Sequence, residues 1–143
     1  MKIQDVMTRQ VIAIDGSENV AVAARTLARC NIGAMPVCGP GGTVQGVVTD
    51  RDLVIRCMAA GKDPNTTRVS QVMTGAPVTV TPDTDGALAA AIMGRRQVRR
   101  LPVVEGGKLC GMVSIGDLAR SDETAYDAGD ALAEISANVS DRG

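Results

Sequence analysis

The sequence predicts an α/β protein of the α+β type, built as two tandem β-α-β-β-α units that pack face to face as a pseudo-twofold pair. Three observations predict this class: an internal repeat, strand-like runs that alternate with helical periodicity in each copy, and the length of the chain. The chain has 143 residues, and a unit of about 60 residues is marginal on its own. Two such units would stabilise each other by burying their apolar sheet faces together.

The repeat becomes visible when the chain is shifted by 66 residues, and by 65 residues after the central turn. Segments of the two copies then coincide: Val6-Met7-Thr8 with Val72-Met73-Thr74, Met35-Pro36-Val37 with Leu101-Pro102-Val103, and Gly46, Val48, Asp52 and Leu53 with Gly111, Val113, Asp117 and Leu118. The residue missing from the second copy lies in a Gly-rich turn, where a loop tolerates a change of length. We therefore predict two domains, residues 5–65 and 70–125, and a polar helical tail, residues 126–143.

The first helix of each copy has a recognisable start. Short strands at residues 12–14 and 78–80 precede it. In the first copy Ser17 is the predicted N-cap, because apolar residues recur at helical spacing after it. In the second copy Thr81-Pro82-Asp83 is the predicted start signal, since proline is tolerated in the first turn of a helix.

A β-hairpin and a second helix complete the unit. Residues 35–49 and 101–114 each hold two strand-like runs around a Gly-rich turn, which is typical of a hairpin. The helix that follows in the first copy is predicted to stop at Gly61, placed at its C′ position because glycine adopts the left-handed conformation without strain.

Two segments lie outside the repeated elements. Residues 61–67 are polar and are the predicted linker between the copies. In the tail, Leu132, Ile135 and Val139 recur at helical spacing, and we expect them to face a partner surface.

The composition excludes several classes of function. Histidine is absent, which removes the commonest general base and the commonest metal ligand. Tyr126 is the single aromatic residue, so the chain lacks the rings on which nucleic-acid bases stack. The net charge of −1 would attract neither nucleic acid nor an anionic membrane. We therefore expect neither as a partner.

The sequence also predicts a cytoplasmic location. The longest apolar run, residues 87–93, is far shorter than a membrane span. The N-terminal residues MKIQDVM lack the apolar core of a signal peptide.

The four cysteines show no C-x-x-C pair and no regular metal-ligand spacing, so no metal site is predicted. Cys30 and Cys57 fall on apolar helical faces, where we expect small buried thiols. A redox-sensing pair that involves Cys38, in its Gly-rich turn, remains an alternative.

The motifs of the two copies resemble tandem cystathionine-β-synthase (CBS) domains. The resemblance rests on the V-M-T openings, the strands with a Pro-Val pair, and the closing segments at residues 46–52 and 111–117. It covers residues 5 to 125, and residues 31–39 and 49–67 further resemble stand-alone bacterial tandem pairs of the hypoxic-response type. It implies a regulatory binding module that forms a homodimer through its helices.

Each copy places a hydroxyl and a carboxylate three residues apart where a strand ends and a helix begins: Thr49 with Asp52, and Ser114 with Asp117. One carboxylate can accept hydrogen bonds from both vicinal hydroxyls of a ribose, and the helix start keeps it ionised. The same residue types are also good N-caps, so a structural role stays open. The resemblance implies that these pairs hold the ribose of adenosyl ligands in clefts between the two units.

Four arginines form a dense basic cluster in the segment RRQVRR. Arg95 and Arg96 end the preceding helix, where cations offset the helix dipole. Arg99 and Arg100 occupy the position at which related proteins carry phosphate contacts, and the first copy has Gly33 and Ala34 there. The two predicted sites are therefore not equivalent.

The resemblance also implies an apolar slot for adenine. The six candidate residues, three in each copy, are Ile14, Ile32, Met35, Val80, Val98 and Leu101. Each of these side chains is equally suited to the hydrophobic core. A core residue would contact the adenine with only one edge of its side chain.

The sequence thus predicts a regulatory module and not an enzyme, since it shows neither a nucleophile with a base at hand nor a Walker-type phosphate loop. No cofactor is expected to be required; AMP, ADP, ATP or S-adenosylmethionine is the expected regulatory ligand. Two alternatives remain: a ligand-free module that binds itself or a partner protein, and a thiol-based redox sensor.

Overall fold

The computed structural model describes the backbone of residues 1–142 and the side chains of residues 1–137. It confirms the mixed helix-and-strand class. Two compact units are present. We call Val11–Pro77 with Gly107–Leu109 the first unit, and Met1–Gln10, Val78–Gly106 and Cys110–Gly143 the second unit. The N-terminal segment therefore packs with the second repeat, although its motif opens the first one in sequence.

The first unit is built around a four-stranded sheet in the order β1-β2-β3-β4. Its strands are Ile14–Asp15, Ala34–Cys38, Val44–Thr49 and Thr74–Gly75. Strands β1 and β2 are parallel, and the other two pairs are antiparallel. The register places Thr49 opposite Ala34, so the predicted β2–β3 hairpin is confirmed and its last residue lies at one end of the sheet.

Helix α1, Val20–Cys30, begins two residues later than predicted. Its N-cap is Asn19, whose Oδ1 accepts a 3.0 Å hydrogen bond from the Val22 amide. The prediction of Ser17 was wrong, because the Ser17 hydroxyl donates to Asp15 Oδ1 at 2.8 Å and forms a local turn before the helix.

Helix α2 starts as an α-helical turn, Asp50–Asp52, and continues as a π-helix, Leu53–Met58. Gly61 adopts a positive φ of 72°, as expected for a residue that terminates a helix. With the C-cap at Ala59, however, Gly61 lies at C″ and not at the predicted C′ position.

The segment expected to be a linker is hydrogen-bonded to the start of α1. The Val20 and Ala21 amides donate to the Thr67 and Pro64 carbonyls, both at 2.9 Å. These bonds satisfy amides that have no partner within the helix.

The second unit contains β5, Arg100–Glu105, and all but the first two residues of β6, Lys108–Ser114; the two strands form a hairpin. Single bridges add backbone on both sides: Val80 pairs with Val103, and Thr8 pairs with Met112. Helix α3, Gly86–Arg96, has Asp85 as its N-cap. The prediction that this helix starts at Thr81-Pro82-Asp83 was therefore wrong. The Thr81 hydroxyl donates to the Asp83 carboxylate and forms a turn before the helix.

Helices α4, Ile115–Ala119, and α5, Ala125–Arg142, complete the second unit. Helix α5 packs against α3 and α4, burying Ala128, Ala131 and Ile135. Of the tail residues expected to face a partner, Ile135 is thus buried within its own unit and Leu132 is 42% exposed. The side chain of Val139 lies outside the described residues.

Each unit has its own core of Val, Ile, Leu, Met and Ala side chains. Among the described residues, the structure contains no helix long and apolar enough to cross a membrane.

Candidate functional site

Both hydroxyl–carboxylate pairs lie at strand-to-helix junctions and form reciprocal capping boxes. The Asp52 amide donates to Thr49 Oγ1 at 3.1 Å, and the Thr49 amide donates to Asp52 Oδ2 at 2.9 Å. The corresponding distances for Ser114 and Asp117 are 3.1 Å and 2.8 Å. The structural role that the sequence left open is therefore present in both units.

The capping boxes leave hydrogen-bonding capacity for a ligand. Each box uses Oδ2 of the aspartate and uses the hydroxyl as an acceptor, so Oδ1 and the hydroxyl proton take no part in it. A ribose diol needs an acceptor of this kind, because both of its hydroxyls can donate to one carboxylate. Capping and ribose binding are thus compatible roles for the same side chains.

An arginine one turn further along the chain approaches the carboxylate oxygen that each capping box does not use. Arg56 Nε lies 3.7 Å from Asp52 Oδ1, and the Arg120 guanidinium donates to Asp117 Oδ1. The Arg56 guanidinium also donates to the Met73 carbonyl at 3.1 Å. The sequence analysis did not predict these two ion pairs, although charged residues of opposite sign three or four positions apart on a helix are the usual signal for them.

The backbone next to each capping box is built in the same way in both units. The Asp50 amide donates to the Gly33 carbonyl at 3.0 Å, and the Ile115 amide donates to the Arg99 carbonyl at 2.8 Å. Gly33 and Arg99 are equivalent in the repeat. The backbone of Arg99 therefore lies beside the Ser114–Ile115 junction, and Arg100 follows as the first residue of β5.

The charge at the position shared by Gly33 and Arg99 differs in sign between the two units. A Cβ placed on Gly33 would lie 3.6 Å from Oδ2 of Asp50, so in the first unit a carboxylate occupies the space beside the glycine. In the second unit the same position is the cation Arg99, and the residue equivalent to Asp50 is the uncharged Ile115. The sequence revealed the missing arginine in the first copy but not the carboxylate near Gly33, since that contact joins residues 17 positions apart.

Arg95 and Arg96 lie in the last turn of α3, and both are exposed. This position is favourable for cations, because the C-terminus of a helix carries partial negative charge. Arg99 is exposed and Arg100 is half-buried.

The six candidate adenine-slot residues lie in or against the two cores. Four are core residues, with Met35 and Leu101 only 0% and 1% exposed. Ile32 and Val98 are half-buried and pack against the core edges. Their amides make equivalent bonds to the carbonyls of Leu27 and Met93, at 3.1 and 3.0 Å. Ile32 and Val98 are thus the two candidates with the more accessible side chains.

The structure contains no disulfide among the four cysteines. All four cysteines are free. Cys57 is buried as expected, whereas Cys30 is half-buried. Burial raises the pKa of the Cys38 thiol, with a further contribution from the negative charge of Asp15. Burial likewise raises the pKa of Cys110. A raised pKa favours the protonated thiol over the thiolate, which is the nucleophilic form.

Comparison with known proteins identifies the repeated unit. The sequence model of the CBS domain matches residues 3–58 and 69–124. The protein YlbB of Bacillus subtilis is 41% identical over 136 residues, which is 94% of this chain and 91% of YlbB. Hypoxic response protein 1 of Mycobacterium tuberculosis is 34% identical over 117 residues, 82% of each chain.

Two solved structures resemble this fold. A crystal structure of Hypoxic Response Protein I with two coordinated zinc ions gives a TM-score of 0.78 at 33% identity, and the match covers 84% of this chain and 98% of that one. The crystal structure of CBSX2 in complex with AMP gives 0.74 at 27% identity, covering 87% and 98%. The residues described in the present structure include no group of three or more His, Cys, Asp or Glu side chains that could hold a metal ion.

Proposed function

Because this chain belongs to the CBS-domain family and carries two such domains in tandem, we propose that it senses an adenosine-containing nucleotide and signals through a change in its assembly. CBS pairs are regulatory modules, and the related CBSX2 has been crystallised with AMP. The proposal assigns binding to this chain and no catalysis.

The observation that carries the proposal is the hydroxyl–carboxylate pair present in both units. In each pair one carboxylate oxygen lies outside the capping box, next to a hydroxyl whose proton is free to donate. In this proposal Asp52 and Asp117 accept from the two ribose hydroxyls, while Thr49 and Ser114 donate to the sugar or its phosphate. Ile32 and Val98 offer their exposed edges to adenine.

The charge difference between the units favours a phosphorylated ligand at the second pair. In the second unit the backbone of the cation Arg99 lies beside the Ser114–Asp117 pair, whereas in the first unit the anion Asp50 lies beside the equivalent residue, Gly33. A phosphate would gain charge-assisted hydrogen bonds from Arg99 in the second unit and would be repelled by Asp50 in the first unit. We therefore assign AMP, or the phosphates of ADP and ATP, to the Ser114–Asp117 pair. The Thr49–Asp52 pair suits adenosyl groups without a phosphate there, such as S-adenosylmethionine.

A panel of thermal-shift measurements tests the proposal, using AMP, ADP, ATP, S-adenosylmethionine and adenosine. A nucleotide present at about 100 times its Kd adds about 2.7 kcal/mol to the free energy of unfolding and raises the midpoint. Unchanged melting across the panel would favour the ligand-free interaction module instead.

Two variants separate binding from capping. Asp52→Asn and Asp117→Asn keep a side-chain oxygen that can accept the amide of Thr49 or Ser114, and Asn caps a helix about as well as Asp. Each variant loses the charge that a ribose diol would use, so affinity at that pair should fall about ten- to 150-fold. Normal nucleotide affinity in both variants would leave the aspartates as caps alone.

A further inference from the structure

Arg120 holds the atom of Asp117 that the proposed ribose contact would use. Its guanidinium donates to Asp117 Oδ1, while Oδ2 of the same carboxylate accepts from the Ser114 amide in the capping box. Only 11% of the Asp117 side chain is exposed, whereas 74% of the Arg120 side chain is exposed. A ribose diol that approaches Asp117 therefore meets a carboxylate whose outer oxygen already accepts from a cation.

The Arg120 guanidinium also lies beside the hydroxyl of the pair. A Cβ placed on Gly116 would lie 3.5 Å from Nη1 of Arg120 and 3.6 Å from Oγ of Ser114, so both groups border the same point in space. The proposed function assigns the Ser114 hydroxyl to the sugar or its phosphate. Arg120 is thus already close to the place where that phosphate would lie.

The side chain of Arg120 is held by Asp117 alone. Among the residues that the structure describes, it makes no ion pair or hydrogen bond other than the one to this carboxylate. An ion pair with so exposed a cation contributes little to stability, because solvent screens the charge and ordering the long side chain costs entropy. A stronger acceptor can therefore detach Arg120 and leave the cap in place, since the cap uses Asp117 Oδ2 and the Ser114 hydroxyl.

The arginine of the first unit is held differently. Arg56 Nε lies 3.7 Å from Asp52 Oδ1, and the Arg56 guanidinium also donates to the Met73 carbonyl at 3.1 Å. That backbone bond anchors Arg56 independently of the carboxylate. In the repeat, the residue equivalent to Arg120 is the apolar Ile55. A cation that depends on the carboxylate alone is therefore found at the second pair and not at the first.

We propose that Arg120 determines which adenosyl ligand the second unit accepts, a role that deepens the proposed function and rests on it. A nucleotide with a phosphate draws the guanidinium from Asp117 Oδ1 to a phosphate oxygen, and the released carboxylate oxygen accepts from the ribose. Adenosine offers no such anion, so its ribose must compete with the ion pair for Asp117. Arg120 thereby opposes the ribose of adenosine and adds a bond to the phosphate of AMP.

The exchange leaves every charge compensated. A phosphate monoester carries a charge of about −1.5 to −2 near neutral pH, and a guanidinium can donate two parallel hydrogen bonds to its oxygens. The Arg120 cation is thus paired with an anion before and after the exchange. The Asp117 carboxylate exchanges the guanidinium for the ribose hydroxyls, so it is not left buried without a donor.

Calorimetric titration of the full chain with AMP and with adenosine tests this assignment. Both titrations use the Asp52→Asn background, in which the first pair is expected to bind weakly. Arg120→Gln should strengthen adenosine binding about two- to fivefold, since the ribose no longer competes with an exposed ion pair. It should weaken AMP binding about three- to 20-fold, because the lost charge-assisted bond outweighs that relief. Loss of a cation that contacts the phosphate alone would leave adenosine unchanged.

Two further variants accompany Arg120→Gln. Arg95→Gln is the matched control, because Arg95 is an exposed cation of the same unit in the last turn of α3, and both affinities should stay unchanged. Arg120→Lys keeps the charge but loses the paired donors, so it should lie between the parent protein and Arg120→Gln for both ligands. All three variants should keep the circular dichroism of the parent protein, since these side chains are exposed.

The direction of the two affinity changes decides the role of Arg120. Unchanged affinities, or changes in the same direction for AMP and adenosine, would overturn this role and leave the proposed function standing. Adenosine binding that appears only in Arg120→Gln would support it, because the ion pair then blocks the ribose. If no ligand of the adenosyl panel binds either the parent protein or Arg120→Gln, the proposed function fails and the role of Arg120 fails with it.

Discussion

Replacement of Arg99 by alanine should remove most of the preference for AMP over adenosine. The bond from the Ile115 amide to the Arg99 carbonyl, 2.8 Å long, holds the Arg99 backbone beside the Ser114–Asp117 pair. Truncation of the side chain leaves this backbone bond in place. The substitution therefore tests the charge of Arg99 while retaining the local fold.

The expected magnitude follows from the type of bond that is lost. A hydrogen bond to a charged group contributes about 1.5–3 kcal/mol, which corresponds to a loss of AMP affinity of about ten- to 150-fold. Because Arg99 is exposed, solvent and salt screen part of its charge, and we expect the lower half of this range. Adenosine has no phosphate, so its affinity should change by less than about twofold on the same argument.

Titration calorimetry at low salt with both ligands measures this difference. Arg96→Ala is the matched control, because Arg96 is an exposed cation in the last turn of α3 with a separate structural role there. It should leave both affinities unchanged. Equal losses for AMP and adenosine in Arg99→Ala would show that the arginine supports the fold, and no loss for either would place the phosphate elsewhere, with Arg100 next in line.

Three further predictions follow from the two units. Asp50→Asn should strengthen AMP binding at the first unit by about five- to 30-fold in calorimetry at low salt, because it removes a repulsion of about 1–2 kcal/mol between carboxylate and phosphate; unchanged affinity would exclude a phosphate from that position. Gly94→Val should lower the free energy of unfolding by about 1–3 kcal/mol in urea titrations, since its side chain meets the backbone of α5, whereas Ala28→Val at the equivalent, exposed position of α1 should cost much less; equal effects would contradict the packing of α5. Alkylation of Cys38 and Cys110, followed by mass spectrometry as a function of pH, should require a higher pH in the folded than in the unfolded protein, because burial raises both pKa values and the thiolate is the reactive form; rapid alkylation of the folded protein near neutral pH would favour a redox sensor.

The sequence by itself determined the features that depend on residues close together in the chain. The repeat, the hairpins and the helix periods are local patterns, and the family comparison confirms the tandem organisation they predicted. The spacing of Thr49 with Asp52 also predicted both the cap and the candidate ribose pair, because a capping box joins residues three positions apart. Whether the second role is used stays a prediction.

The tertiary structure decided what depends on contacts between distant segments. Sequence periodicity did not reveal that the N-terminal segment pairs with Met112 in the second unit, or that α5 covers α3. Asp50 lies beside Gly33 because two strands of a sheet bring them together. Such contacts depend on chain topology and on the space beside a glycine, which no pattern of neighbouring residues encodes.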